Sequence, residues 1–187
     1  SHTVAIGPSN GTDYIFTEGV IVENGAIGIR VDRYGKGWMQ ADWLGNVNES
    51  DAEAIYYDVL RAPGVIGADL WVVALGINDY LNQVSLTTFE AALTTIVQRL
   101  KTYGQRVVIV VCPQPNSSLS IPYSSYRTKM LAVASAESCD VCDVWNDWGG
   151  VFVTGRMADT NHPNDTGHGL IATQLITTLD PIVYPPL

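Results

Sequence analysis

The chain has 187 residues, 47% hydrophobic and 16% charged; that balance is globular, and the length is enough to bury the core of one α/β domain. Its longest apolar stretches, Leu70 to Leu75 and Val107 to Cys112, are only strand-length, so none reads as a membrane span. A net charge of −9, with ten basic residues that do not cluster, makes a surface that repels phosphates and argues against nucleic-acid binding.

Thr3 to Gly7 reads as a first strand, and a secretory signal is not expected where a strand-like run starts so early. It ends in the turn Gly7-Pro8-Ser9-Asn10-Gly11. The apolar residues between Tyr14 and Val22 fit a short helix. Ile27, Ile29 and Val31 alternate as a second strand and run into the turn Tyr34-Gly35-Lys36-Gly37. Asp51 to Leu60 is helical in pattern and stops before Pro63-Gly64. Leu70 to Leu75 is the continuous run expected of a strand covered on both faces. Phe89, Leu93, Ile96, Val97 and Leu100 line one face of a helix, for which Thr87-x-x-Glu90 offers a capping box and Gly104 a stop. Val107 to Val111 is a fourth strand. A polar loop, Pro113 to Ser120, leads to a helix around Tyr123 to Ala136, and Asp140 to Val144 makes a fifth strand. The last helix begins near Asp165 and buries Ile171, Leu175 and Leu179.

Strands alternating with helices imply βαβ units. The expectation is a single domain over residues 1–187, a three-layer α/β/α sandwich with a parallel sheet of about five strands. In such sheets ligands bind beyond the carboxyl ends of the strands, so the turns after each strand are where chemistry belongs. Three cysteines are present, Cys112, Cys139 and Cys142. The Cys-x-x-Cys pair lacks the second pair of ligands that zinc would need, which leaves a small disulfide or buried thiols, and an odd count leaves at least one Cys without an intrachain partner.

Near the C-terminus stands Asp159-Thr160-Asn161-His162-Pro163, followed by Gly167-His168. A carboxylate three residues before a histidine can orient that ring, the supporting half of a nucleophile–base–acid triad, and Pro163 keeps His162 out of the following helix. This block resembles the last block of the SGNH (GDSL-like) hydrolases. Gly76-Ile77-Asn78-Asp79, directly after the third strand, resembles their Gly-x-Asn-Asp block, although an Asn-Asp pair can also be a plain turn cap. Gly7-Pro8-Ser9 stands where these enzymes carry Gly-Asp-Ser, with Pro8 in place of the aspartate. Their Asn-x-x-x-x-Gly block is approximated by Asp32 to Gly37. Gly35 is the near rival to Gly37, and Asn24 to Gly28 also resembles the block but follows Ser9 so soon that an intervening helix would be tight.

The resemblance implies a flavodoxin-like SGNH fold and a serine esterase. Ser9 is then the nucleophile, His162 the base and Asp159 its orienting acid, with Ser9, Gly37 and Asn78 donating to the oxyanion. Tyr34 and Trp38, which flank Gly37, are expected to face the substrate. No metal or organic cofactor is needed. The expected partner is a small-molecule or saccharide ester, with a short acyl group such as acetate. The same triad also serves lipid or thioester hydrolysis and acyl transfer, and a non-catalytic carbohydrate-binding module of a larger surface or virion protein is the reading from another class. Oligomeric state stays open, and so does compartment, with an extracellular setting slightly favoured. His168 is expected to pack or cap near the last helix. Trp145, Trp148, Phe152 and Met157 are expected to pack in the core or line an acyl or sugar pocket.

Overall fold

The computed structural model describes residues 38–46, 70–102 and 106–183, all within the compact unit Trp38–Leu187. The two strands expected at 3–7 and 27–31, the helices expected at 14–22 and 51–60, and Gly104 lie outside the described residues.

The described sheet has three parallel strands in sequential order, β1 (Leu70–Val73), β2 (Arg106–Val111) and β3 (Asp140–Asp143). Val72 stands beside Val108, and Val110 beside Cys142. Every residue of β2 after Arg106 is buried, and the period of two divides them between layers. Val107, Ile109 and Val111 join one apolar cluster, while Val108 and Val110 join another with Cys142, Val144, Trp148 and Met157. Helices cover both clusters. On the first side lie α1 (Ala41–Asn46), α3 (Leu86–Lys101) and α4 (Tyr123–Ala136). On the second lie α5 (Val144–Asp147) and α6 (Asp165–Val183), whose Ile171, Leu175 and Leu179 pack on it as the sequence implies. The short helix α2 (Ile77–Leu81) follows β1. The result is the expected α/β/α layering.

Two details differ from the sequence reading, and a third decides between its alternatives. The strand from Leu70 ends at Val73, and its Val72 is 43% exposed instead of covered on both faces. Helix α3 begins at Leu86 and is capped by Ser85, whose Oγ accepts from the Thr88 N–H at 3.2 Å. Thr87 already has helical geometry there and cannot cap, and Glu90 instead takes the Lys129 ammonium at 2.7 Å. All three cysteines are free thiols. Cys139 belongs to the first cluster and Cys142 to the second, so the two point to opposite sides of the sheet, where no disulfide can close.

Aromatic packing fills the first layer. Tyr80 of α2 meets Tyr123 edge-to-face at 5.4 Å, and Phe89 meets Tyr126 at 5.2 Å. Among the described residues no helix is long and apolar enough to cross a membrane.

Candidate active site

Asp159 and His162 lie on the turn between a 3-10 segment, Thr154–Arg156, and α6. Asp159 Oδ1 accepts the backbone N–H groups of Asn161 at 2.7 Å and His162 at 2.8 Å, which folds the turn around the carboxylate. Its other oxygen, Oδ2, lies 2.8 Å from His162 Nδ1. The Asn161 N–H first, then the imidazole and the His162 N–H, hold the Asp159 carboxyl down at about 2. It is therefore an anion at any physiological pH and fixes hydrogen on Nδ1, leaving Nε2 as the ring's basic nitrogen. Both side chains are open to solvent, His162 at 76% and Asp159 at 56%. Asn161 Oδ1 is buried beside them and has no hydrogen-bond partner among the described residues.

The rest of the block fixes this turn to the domain. Met157 pairs with Pro163 as an antiparallel bridge, and the His162 carbonyl accepts from Ala158 N–H at 2.8 Å. Asn164 is the hinge into α6. Its N–H donates to the Arg156 carbonyl at 3.0 Å, and its Oδ1 accepts from Gly167 N–H at 2.9 Å. A Cβ on Gly167 would collide with the Arg156 carbonyl oxygen and sit 2.9 Å from Pro163 Cβ. Close approach therefore explains this glycine of the trailing Gly-His. His168 donates its backbone N–H to the Asn164 carbonyl in the first turn of α6, and its side chain is exposed, not packed in the core.

The Gly-x-Asn-Asp turn makes a second node. Gly76 adopts φ 111°, and a Cβ there would collide with Met130 Cε and lie 3.2 Å from Phe89 Cζ. Asn78 Nδ2 donates to the Met39 carbonyl at 3.0 Å, and the Asn78 carbonyl accepts from Gln40 Nε2 at 3.2 Å. A carboxamide carries two N–H donors, and the bond to Met39 uses one. Asp79 is fully buried, its two oxygens taking the N–H groups of Ala41 at 2.9 Å and Asp42 at 3.0 Å. Burial pushes its carboxyl above the usual carboxylate value, against the pull of those N–H groups. The residues that follow Gly37 in the chain are thus bound to the Asn78-Asp79 step. Trp38, at the head of this segment, adopts φ 64° and is 80% exposed.

The described structure therefore brings Asp159 together with His162, and Asn78 together with the segment after Gly37. Ser9, Tyr34 and Gly37 lie outside the described residues. The aromatic residues ahead of the Asp-x-x-His block are packing groups. Trp148 and Met157 are buried and Phe152 packs on the same cluster, while the Trp145 indole N–H donates to Gln114 Oε1 at 2.9 Å. The Arg127 guanidinium lies over the Trp145 ring and binds both oxygens of Asp143. A separate cleft of about 550 Å3, lined by Asp143, Asp147, Trp148, Arg156, Thr173 and Gln174 among others, includes none of Asn78, Asp159 and His162.

Sequence reasoning passed over the loop after β2, although its place at a strand's carboxyl end marked it. Asn116 N–H donates to the Thr160 carbonyl at 2.7 Å, inside the acid–base turn. Tyr80, on α2 beside Asn78, donates its hydroxyl to the Ser117 carbonyl at 2.6 Å.

A parallel sheet between helical layers, with Gly-x-Asn-Asp closing one strand and an Asp–His pair ahead of the last helix, defines an SGNH-type hydrolase. The model of the GDSL-like Lipase/Acylhydrolase family matches residues 17–170, and the chain belongs to that family. It is a carboxylic ester hydrolase. Solved structures share the fold. A protein from Lactobacillus plantarum is 24% identical with a TM-score of 0.59, covering 71% of this chain and 74% of its own. A lipase/acylhydrolase from Enterococcus faecalis is 18% identical with a TM-score of 0.58, over 73% and 74% of the two chains. The acetyl xylan esterase AlAXEase is 17% identical with a TM-score of 0.60, over 77% and 78%. No curated protein sequence matches this chain.

Proposed function

We propose that the chain is a serine esterase that removes short acyl groups, acetate above all, from a carbohydrate. Ser9 is its nucleophile, His162 its base and Asp159 the orienting acid. The observation that carries this reading is the 2.8 Å contact between Asp159 Oδ2 and His162 Nδ1 on a ring otherwise open to solvent. In this scheme Nε2 takes the Ser9 hydroxyl proton as Oγ attacks the ester carbonyl, and the imidazolium is stabilised by Asp159. The tetrahedral oxyanion is received by the N–H groups of Ser9 and Gly37 and by the remaining amide hydrogen of Asn78. One such donor is worth about 3–4 kcal/mol of barrier. His162 then returns the proton to the leaving alcohol, and water repeats the sequence on the acyl-enzyme.

The carbohydrate part rests on two supports. An acetyl xylan esterase is among the proteins of this fold, and Trp38, next in the chain to Gly37, offers an exposed flat ring of the kind that receives a sugar face. Tyr34 is assigned to the same side of the site.

Ser9→Ala assayed on nitrophenyl acetate tests the nucleophile, and wild-type activity in that variant defeats the proposal. An acyl-length series then tests the substrate. A sharp preference for acetate is expected, and an optimum at long chains points to a lipase or thioesterase instead. A serine-directed fluorophosphonate that fails to label a sugar-binding protein would indicate a non-catalytic module.

A further inference from the structure

We infer that the loop after β2 is a strut that fixes the distance between Asn78 and His162, and that Tyr80 is the positioning residue at its Asn78 end. The two nodes of the site stand on separate elements, α2 after β1 and the turn before α6, and each needs a rigid connection to the other if both are to meet one reacting carbonyl. The loop provides it. At one end the Tyr80 hydroxyl, buried and two residues from Asn78, donates to the Ser117 carbonyl at 2.6 Å, while Ser117 Oγ donates back to that hydroxyl at 3.1 Å. At the other end Asn116, the neighbour of Ser117, donates its N–H to the Thr160 carbonyl at 2.7 Å, between Asp159 and His162.

The strut is itself fastened on both flanks. Gln114 Oε1 holds it to the Trp145 indole at 2.9 Å. Gln83 grips Ile121 with both ends of its carboxamide, accepting from Ile121 N–H at 2.8 Å and donating to its carbonyl at 3.3 Å, and donates also to the Tyr80 carbonyl at 2.8 Å. Gln83 holds φ 54° to do so, a left-handed conformation that costs a non-glycine residue energy and persists where surrounding contacts impose it. The path from Asn78 to His162 thus runs through α2, one phenol hydrogen bond, a single peptide step and one backbone hydrogen bond. No covalent chemistry is assigned to it. Its role is geometric.

The inference rests on the reading that Asn78 and His162 serve one site, and its failure is separable from the failure of that reading. Tyr80→Phe removes the hydroxyl and nothing else. In an enzyme whose activity depends on Ser9, its kcat on nitrophenyl acetate should fall about tenfold while KM stays within about twofold, because a misplaced donor costs the transition state and not the ground-state complex. Asn116→Pro cuts the strut at its other end by deleting the N–H. Since both changes break one connection, the double variant should be no slower than the slower single variant, whereas two unrelated structural defects would multiply. A folded Tyr80→Phe enzyme with wild-type kcat, a kcat loss matched by an equal rise in KM, or multiplicative losses in the double variant each overturn the strut. Tyr80→Phe alone decides the matter if Asn116→Pro does not fold, with thermal unfolding showing that the tyrosine variant does.

Discussion

Asp79→Ala offers the sharpest measure of how the two halves of the Asn78 node are held. The substitution deletes a fully buried carboxylate that takes the first backbone N–H groups of α1, from Ala41 at 2.9 Å and Asp42 at 3.0 Å. Loss of a helix cap costs about 0.5–2 kcal/mol. The two N–H groups do not fare alike, because Ala41 is fully buried and cannot turn to water, whereas Asp42 is partly exposed. One buried donor left unpaired adds about 1–3 kcal/mol. Removing the desolvated carboxyl returns part of this, so the net loss comes to about 1–4 kcal/mol, or roughly 2–16 °C in Tm for a chain of this size. Asp79→Asn keeps one acceptor oxygen and should lose about half as much. Urea unfolding at fixed pH measures both, and an Asp79→Ala loss below about 1 kcal/mol refutes the capping argument. The sign with pH is a second check. Burial raises the folded carboxyl above its ordinary 3.8, so this group's favourable contribution is complete below that value and is lost as pH rises through the folded one. Asn has no such dependence, so the gap between wild type and Asp79→Asn should narrow as pH is raised from about 4; a widening gap contradicts the direction of the shift.

Asp159 behaves oppositely. Its folded carboxyl is held at about 2 against 3.8, so its contribution is present above the ordinary value and lost as pH falls through about 2, and an NMR titration of this carboxyl should inflect near the lower figure. An inflection near 4 would mean that the turn's N–H groups do not hold it. Asp159→Asn keeps an oxygen for those N–H groups but presents an amide to Nδ1, which selects the wrong imidazole tautomer; kcat should fall by about 10³–10⁴ with little change in melting. Gly167→Ala forces a methyl into the Arg156 carbonyl and should cost about 1–3 kcal/mol by overpacking. Gly169, one turn position further on and with open space around it, should instead gain about 0.5–1 kcal/mol from the same change. Paired thermal melts distinguish the two glycines, and equal effects would sink the packing explanation.

Some of this architecture could be read directly from residue order. The Val107–Val111 run announced a strand covered on both sides, and the period of two then divided it between two cores. The phase of Phe89, Leu93, Ile96, Val97 and Leu100 matched the buried face of α3. The Asp159–His162 pair was legible because its members stand only three positions apart, so local turn geometry alone brings the side chains together. What stayed hidden depends on partners far away in sequence. No local pattern indicates that Ser117, 37 positions from Tyr80, will take its hydroxyl, or that Val72 will be 43% exposed.

The Asn78-Asp79 step shows why a local reading stalls between alternatives that the fold makes compatible. As a dipeptide it suggests either a turn cap or an oxyanion donor, and each looks sufficient. On α2 adjacent residues diverge by about 100°, so the two side chains are free to take different tasks. Asp79 turns inward to cap α1. Asn78 reaches the Met39 carbonyl with one of its two amide hydrogens. The cap fixes the very segment on which Asn78 leans. Under the proposed mechanism the contest between structure and chemistry becomes a division of labour across a single peptide bond, whose energetic coupling the Asp79 variants measure: if Asp79→Ala loses stability while kcat holds at the wild-type level, the two proposed roles are independent.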